Sequence, residues 1–301
     1  MAVKALITGA AGFGGYHLVE HSLASGDEVM GIVRGSTSSL MGSAAIAHWD
    51  IREPINGEAE DAVRSFEPEV IYHLAAISRP NLCGSDFPND EAVHTNVDGT
   101  RRILDLAASL PTKPKVVLIS SSHVYGAVDQ QNPIVSETSI PLPTRGYGRS
   151  KLAAEQAALT QTDVPVVIAR AFNHTGPGQT PNYIVPEWCK RLASSFDVIE
   201  IGSLDVSFDL SDVRDIVRGY RLLADKGEDR KIYNIGSGEP VKTGELMEML
   251  CQLARRRPEI HERDPQSRSE PIADITAIRE LGYSPMFSLQ RSIADVWAEW
   301  A

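Results

Sequence analysis

Short runs of aliphatic and β-branched residues recur along the first part of the chain and alternate with amphipathic stretches. Val3–Thr8, Glu28–Arg34, Ile46–Asp50, Val70–Ala75, Val116–Ser121 and Val166–Arg170 read as strands. Most are apolar almost throughout, the pattern of strands covered on both faces. Between them, Gly14–Ser25 has helical spacing and is closed by Gly26. Glu91–Leu110 carries Val93, Val97, Leu104 and Ala108 on one stripe, and Lys151–Thr160 is an alanine-rich helix. This alternation predicts an α/β fold built on a parallel, doubly wound sheet.

After Arg170 the regularity breaks. Prolines at 177, 181, 186, 240, 258, 265, 271 and 285 punctuate the chain. Helices are expected at Pro186–Ser194, Val213–Asp225, Thr243–Arg255 and Ser288–Trp300, the last with Leu289, Ile293, Trp297 and Trp300 on one face. This half reads as a smaller, mixed domain.

Composition narrows the partners. With 42% hydrophobic and 23% charged residues, the chain fits a soluble globular protein. A formal net charge of -11 argues against nucleic acid, whose phosphates need a basic surface. An anionic small molecule needs only a few local cations and stays open. No apolar run reaches the roughly 20 residues that span a bilayer, and the N-terminus enters a strand at once without a signal-peptide pattern. Membrane is therefore not an expected partner. Cys83, Cys189 and Cys251 are widely spaced and form no C-x-x-C, so the reducing cytoplasm is the expected compartment.

Thr8-Gly9-Ala10-Ala11-Gly12-Phe13-Gly14-Gly15 joins the first strand to the first helix. A pyrophosphate needs close approach of backbone N–H groups at the positive end of a helix, and glycines permit it. The G-x-x-G-x-x-G spacing in this position predicts a Rossmann-like dinucleotide site. An acid at the end of the second strand would hold ribose hydroxyls; here Val33-Arg34-Gly35-Ser36 has none. Arg34 and Ser36 suit a 2′-phosphate, so NADP (as NADPH) is preferred, with NAD as the alternative. Asp50, ending the third strand, is a candidate partner of the adenine amino group. Its competing role is that of a turn residue.

Tyr147-Gly148-Arg149-Ser150-Lys151 sets a phenol and an ammonium four apart, on one helical face. A carbonyl being reduced needs a proton at oxygen while hydride arrives at carbon. A Tyr supplies it when a nearby cation lowers the cost of the phenolate. Ser120-Ser121-Ser122-His123 leaves the end of a strand, where side chains face the ligand crevice of a doubly wound sheet.

Together, Thr8–Gly15, Tyr72-His73-Leu74-Ala75-Ala76, Asn96-Val97-Asp98-Gly99-Thr100, Ser120–Gly126 and Tyr147–Lys151 resemble the extended short-chain dehydrogenase/reductase family in order and spacing. The resemblance implies Ser121, Tyr147 and Lys151 as the catalytic triad. It implies a cofactor site formed by Gly9, Gly12, Phe13, Gly14, Gly15, Arg34, Ser36, Asp50, Ile51, Leu74, Ala75, Ala76, Asn96, Tyr147, Lys151, Phe172 and His174. It implies domains over 1–172 (cofactor, with 206–235 returning to it) and over 173–205 with 236–301 (substrate). It also implies a homodimer through a four-helix bundle of the 91–110 and 151–160 helices.

Arg170–Gln179, Asp212–Val217 and Tyr233–Gly238 are similar to the GDP-sugar members that reduce a 4-keto-6-deoxy sugar, with the 4,6-dehydratases as near relatives. That likeness implies a nucleotide-diphosphate sugar as partner, contacted by Ser78, Ser122, His123, Asn173, Val185, Lys190 and Arg268. Dehydratases carry an acidic pair or Ser-Glu after the catalytic hydroxyl. Ser122 and His123 stand there instead, which favours a reductase or an epimerase. His123 has an ordinary pKa near neutrality and reads equally as an acid/base or as a strand-exit residue. Phe208 stands where the family often has a diphosphate-binding Arg, so an altered substrate or compensation by Lys190, Arg191 or Arg268 is expected. His17 and His21 lie four apart without a third ligand, and no metal is expected. A non-catalytic dinucleotide sensor is the reading from another class, and the retained triad argues against it.

Overall fold

The structure is a computed structural model and describes residues 2–35, 42–194 and 197–301. The first half of the chain runs β1 (Lys4–Thr8), α1 (Phe13–Ala24), β2 (Glu28–Val33), β3 (Ala45–His48), α2 (Gly57–Phe66), β4 (Val70–His73), α3 (Asp90–Ala92), a π turn (Val93–Asp98), α4 (Gly99–Ser109), β5 (Lys115–Ser121), β6 (Ile134–Val135), α5 (Gly146–Thr160) and β7 (Val166–Ala171). The second half continues through β8 (Asn173–Thr175), α6 (Ile184–Ala193), β9 (Val198–Ile201), β10 (Val206–Asp212), α7 (Val213–Lys226), β11 (Ile232–Ile235), β12 (Pro240–Lys242) and α8 (Thr243–Ala254). It ends with β13 (Glu259–Glu262), β14 (Arg268–Ser269), β15 (Ile272–Ala273), α9 (Thr276–Glu280) and α10 (Leu289–Trp297).

Seven strands form one sheet in the order β11-β7-β5-β4-β1-β2-β3, and every pair in it is parallel. Alternate side chains of one strand serve opposite cores. Ala5 and Ile7 of β1 face one core, with Leu18 of α1 and Ile216, Val217 and Tyr220 of α7. Leu6 faces the other, with Val63 of α2, Ile103 and Leu104 of α4, and Ala154 and Ala158 of α5. Both faces of the inner strands are covered, which is why those strands are mostly apolar.

A third core lies apart from the sheet. Trp188 and Leu192 of α6, Phe208 and Leu210 of β10, Leu246 and Leu250 of α8, and Ile293 and Val296 of α10 build it. Strand β10 pairs with β8, β12 and β14. Residues 206–212 therefore lie with this smaller lobe, whereas the expected return to the sheet over 206–235 begins at α7. Residues 272–283 also go back: Ala273, Ile275, Ile278 and Tyr283 pack in the first core.

Three element boundaries differ from the sequence reading for local reasons. The expected 91–110 helix is interrupted by the π turn, entered from Asn89, whose side chain caps Ala92 N at 2.9 Å. Helix α5 starts at Gly146, before the alanine-rich run. Helix α2 had no counterpart in that reading, although Asn56 caps it through Ala59 N at 2.8 Å.

Candidate active site

The loop after β1 is shaped by two contacts. Thr8 Oγ1 lies 2.8 Å from His73 Nδ1 and accepts from Ala75 N at 3.1 Å, tying the loop to the exit of β4. Gly9 has φ +69, and a Cβ on it would lie 2.8 Å from Ala75 N; a Cβ on Gly15 would lie 2.1 Å from Gly9 O. Side chains are excluded at both positions. Gly12 and Gly14 have more room, their nearest neighbours to a Cβ being Gly9 O at 3.1 Å and Leu74 Cδ2 at 3.7 Å. Helix α1 opens without a side-chain cap and without an acid in its first turn. Its leading N–H groups and positive dipole end are thus left for an anion, and a dinucleotide pyrophosphate fits.

Around this loop the expected cofactor residues converge. Phe13 stacks on His174 with ring centroids 6.0 Å apart and planes 8° apart, and His174 Nδ1 is held 2.9 Å from Phe172 O. Leu74, Ala75 and Ala76 are half-buried at the exit of β4, and Ile51 is buried after β3. Arg34 is exposed beyond β2; Ser36 lies outside the described residues. Asp50 differs from a free adenine acceptor: Arg52 takes its carboxylate through Nη2 at 2.6 Å and Nε at 3.1 Å. That bond, and less strongly the charge of Arg34, holds its carboxyl below the usual range. Phe172 and Val185 are each 1% exposed, with side chains in the first and third cores. Phe172 follows β7 directly and Val185 lies in the first turn of α6.

The triad forms where β5 ends against the first turn of α5. Ser121 caps a one-turn helix over Ser122–Val124, its Oγ accepting from His123 N at 3.3 Å. The same Oγ is 3.2 Å from His123 Nδ1 and shares a hydrogen bond with the Tyr147 phenol. The His123 and Tyr147 rings meet edge-on at 5.3 Å. Two glycines allow this approach. A Cβ on Gly148 would lie 2.3 Å from His123 O, and one on Gly146 would lie 2.3 Å from Cys83 O.

Burial pushes the Tyr147 phenol up to about 12, opposed by the bond from Ser121. It is therefore protonated near neutrality and able to donate. Burial also holds the Lys151 ammonium down at about 8, with Glu155 and Cys83 resisting. A cation set one turn from the phenol favours loss of the phenolic proton during reaction.

Asn96, expected at the cofactor site, holds this arrangement together with Ser150, Glu155 and Arg170, which the sequence did not mark out as site residues. Asn96, in the π turn, accepts from Ile77 N at 2.7 Å and donates to Ser150 Oγ at 3.0 Å, while Ser150 Oγ donates to Tyr147 O at 2.8 Å. Behind Lys151, Glu155 forms a buried fork with Arg170 at 2.7 and 3.0 Å. Arg170 lies over the Tyr125 ring at 4.9 Å. The spacing of Glu155, four beyond Lys151 on one helix, was the readable signal.

The expected substrate residues are less gathered. Ser122 is buried beside Ser121 and His123 is half-buried, while Ser78 and Lys190 are exposed. Asn173 lies in β8, paired with Leu210. Arg268 is exposed and shares ion pairs with Asp264 at 3.5 Å and Glu270 at 3.8 Å. Phe208 is 6% exposed in the third core, so no cation stands there. His17 Nε2 is 2.8 Å from Pro177 O. No group of three metal-ligand side chains occurs among the described residues.

Known proteins share this layout. The chain is 27% identical over 317 residues to the GDP-6-deoxy-D-mannose reductase of Pseudomonas aeruginosa, covering all of this chain and 98% of that one. It is 29% identical over 318 residues to the dTDP-glucose 4,6-dehydratase of Streptomyces griseus, covering 98% and 93%. The structure of RMD from Pseudomonas aeruginosa complexed with NADPH superposes with a TM-score of 0.83 at 27% identity, covering 99% of both chains. The relatives are NAD(P)-dependent enzymes of nucleotide sugars, reductases and dehydratases alike. Given the family model that matches residues 5–236, the chain belongs to the NAD dependent epimerase/dehydratase family.

Proposed function

We propose that the protein reduces the 4-keto group of a nucleotide-diphosphate 6-deoxy sugar with NADPH, as a GDP-4-keto-6-deoxy-D-mannose reductase does. One observation carries the choice within the family: a protonated Tyr147 beside Ser121, followed by Ser122 and His123 where a dehydratase needs carboxylates. Removing a C5 proton and expelling the 6-hydroxyl require that acid–base pair. Delivering one proton to a ketone oxygen requires only Tyr147.

The nicotinamide supplies hydride to C4 when bound. Ser121 and Tyr147 hold the carbonyl oxygen by hydrogen bonds, and Tyr147 gives its proton as charge develops there. Lys151 stabilises the phenolate left behind. Arg34, with no acid at the end of β2, supports NADPH over NADH. The similar structure of RMD from Pseudomonas aeruginosa is a complex with NADPH. Asn173, Lys190 and Arg268 are the groups we assign to the substrate, with Ser78, Ser122 and Val185 along its path, Val185 through its backbone. The helices over 91–110 and 151–160 are assigned to a homodimer. No helix among the described residues is long and apolar enough to cross a membrane, in keeping with the cytoplasmic placement we assign.

The test is a panel of nucleotide-linked 4-keto-6-deoxy sugars and their parent sugars, each with NADPH or NADH. Loss of NADPH absorbance with one keto sugar is the expected result. Turnover without net cofactor consumption would make the protein an epimerase or dehydratase instead.

A further inference from the structure

A buried ion pair adds little to the stability of a fold. Two desolvated charges recover their lost hydration only in part from each other, and apolar residues of the same size often hold the structure as well. Glu155 and Arg170 form such a pair, with side chains 1% and 3% exposed. Arg170 of β7 donates to both carboxylate oxygens, through Nη2 at 2.7 Å and Nε at 3.0 Å. Ser120, near the end of β5, donates to the same carboxylate. One helix and two strands thus fix this side chain. It stands on the turn of α5 that follows Lys151, on the same face. Of the pair, it is Glu155 whose charge acts on Lys151, while the guanidinium lies over the Tyr125 ring at 4.9 Å.

The titratable groups around Lys151 are Tyr147 and Glu155 of α5, Cys83 ahead of α3, His73 of β4 and, behind Glu155, Arg170 of β7. Three of them are neutral near pH 7. Burial pushes the Tyr147 phenol up to about 12 and pushes the Cys83 thiol up as well. It holds the His73 imidazole down at about 3. Glu155 is left as the anion beside the ammonium. It acts through its field, since its oxygens are engaged by Arg170 and Ser120.

We propose that Glu155 is a positioning residue for the triad: held by Arg170 and Ser120, it sets a fixed negative charge one turn behind Lys151 and keeps that buried ammonium charged where it supports the Tyr147 phenolate. The proposal rests on the reading of Lys151 as the cation that serves Tyr147 in keto-sugar reduction, but the charge it assigns is measured without substrate. Burial holds the ammonium down at about 8, and the Glu155 charge works against burial. Without this anion Lys151 loses its proton at still lower pH, and the site is left with an uncharged amine.

The ¹³Cε shift of Lys151, titrated by NMR in the ligand-free protein and assigned with Lys151→Arg, reads the ammonium directly. Glu155→Gln leaves Arg170 unopposed and should lower the titration midpoint by about one pH unit or more. Glu155→Leu combined with Arg170→Met removes both charges and keeps apolar bulk between α5 and the sheet, so it tests the point even where the single variant does not fold. Its midpoint should fall by about half a pH unit. A pair that only fastens the helix leaves the midpoint of the folded double variant where the parent has it; that result, or a rise, overturns the proposal. With the keto sugar that the parent reduces, the pH at which kcat declines should move down together with the midpoint. A decline that stays at the parent's pH overturns the link to Tyr147. If the parent consumes no NADPH with any keto sugar, the proposed function fails, while the Lys151 midpoints still decide what Glu155 does.

Discussion

At the scale of single residues, the chemistry follows from two buried groups moved in opposite directions. Tyr147, pushed up to about 12, keeps its proton at neutral pH. Removing its hydroxyl in Tyr147→Phe should lower kcat for keto-sugar reduction by about a thousandfold; single-turnover NADPH oxidation checks this, and a variant within a factor of ten of the parent would point to another proton donor. Lys151, held down at about 8, loses its charge just above neutrality. The sign follows from burial opposing the cation. Below about 8 Lys151 is charged and supports the phenolate; above it the support is lost. Reduction should therefore decline as pH rises through about 8 with the loss of one proton, read from a kcat–pH profile. Lys151→Arg keeps its charge throughout this range and should push the decline to higher pH while lowering the plateau. Stability runs the other way. Burial of the cation costs free energy below about 8, and this cost disappears as pH rises from there toward the ordinary lysine value.

At the scale of elements, the active site is an approach between a strand exit and a helix start, and glycine sets the distance. A Cβ on Gly148 would meet His123 O at 2.3 Å and Pro143 Cβ at 2.9 Å. Gly148→Ala should cost about 2 kcal/mol of stability through overpacking. It should also reduce kcat about a hundredfold by moving Tyr147 from Ser121. Urea denaturation and steady-state kinetics measure the two effects, and a fully active Gly148→Ala would show that the approach is looser. This contact explains where sequence reading stops. Six of the seven strands of the sheet, all but β11, were legible because they are mostly apolar runs, and the β1–α1 loop was legible because its chemistry is local. Only the tertiary approach shows why Gly146 and Gly148 are needed. The π turn that aims Asn96 at Ile77 and Ser150 leaves no periodic trace, since a single extra residue per turn is lost within an amphipathic stripe. Strands of two or three residues, such as β14 and β15, are too short for any alternation to show. Asp50 accepts from both the backbone N–H and the guanidinium of Arg52, a pairing the sequence leaves open because that side chain could equally have pointed to solvent.

At the scale of the whole molecule, the sheet with its two cores and the smaller lobe with the third are joined by repeated crossings of the chain. Asp209 lies at the junction. It belongs to β10 and is 0% exposed, yet its carboxylate faces four donors instead of a cation: Ser237 N at 2.9 Å, Ser237 Oγ at 2.7 Å, Gly238 N at 3.0 Å and Ala273 N at 3.2 Å. Three segments that cross between the lobes, at 209, 237–238 and 273, thus meet on one side chain. The same connections place β8, with Asn173, and the 268–270 strap relative to the triad. Asp209→Asn keeps the volume but turns one oxygen into a donor facing donors, leaving buried N–H groups unpaired. Stability should fall by about 3 kcal/mol. Because the lost bonds join the lobes and leave each core intact, unfolding should separate into two transitions, the third core first. Tryptophan emission in a Trp49→Phe background reports that core through Trp188, Trp297 and Trp300, and far-ultraviolet dichroism follows the whole molecule. In the folded variant KM for the sugar nucleotide should rise more than kcat falls, since the lobe carries Asn173, Lys190 and Arg268, the residues we propose for substrate, and the sheet carries the proposed triad. Coincident transitions within about 0.5 kcal/mol of the parent would mean that the cores alone hold the lobes together.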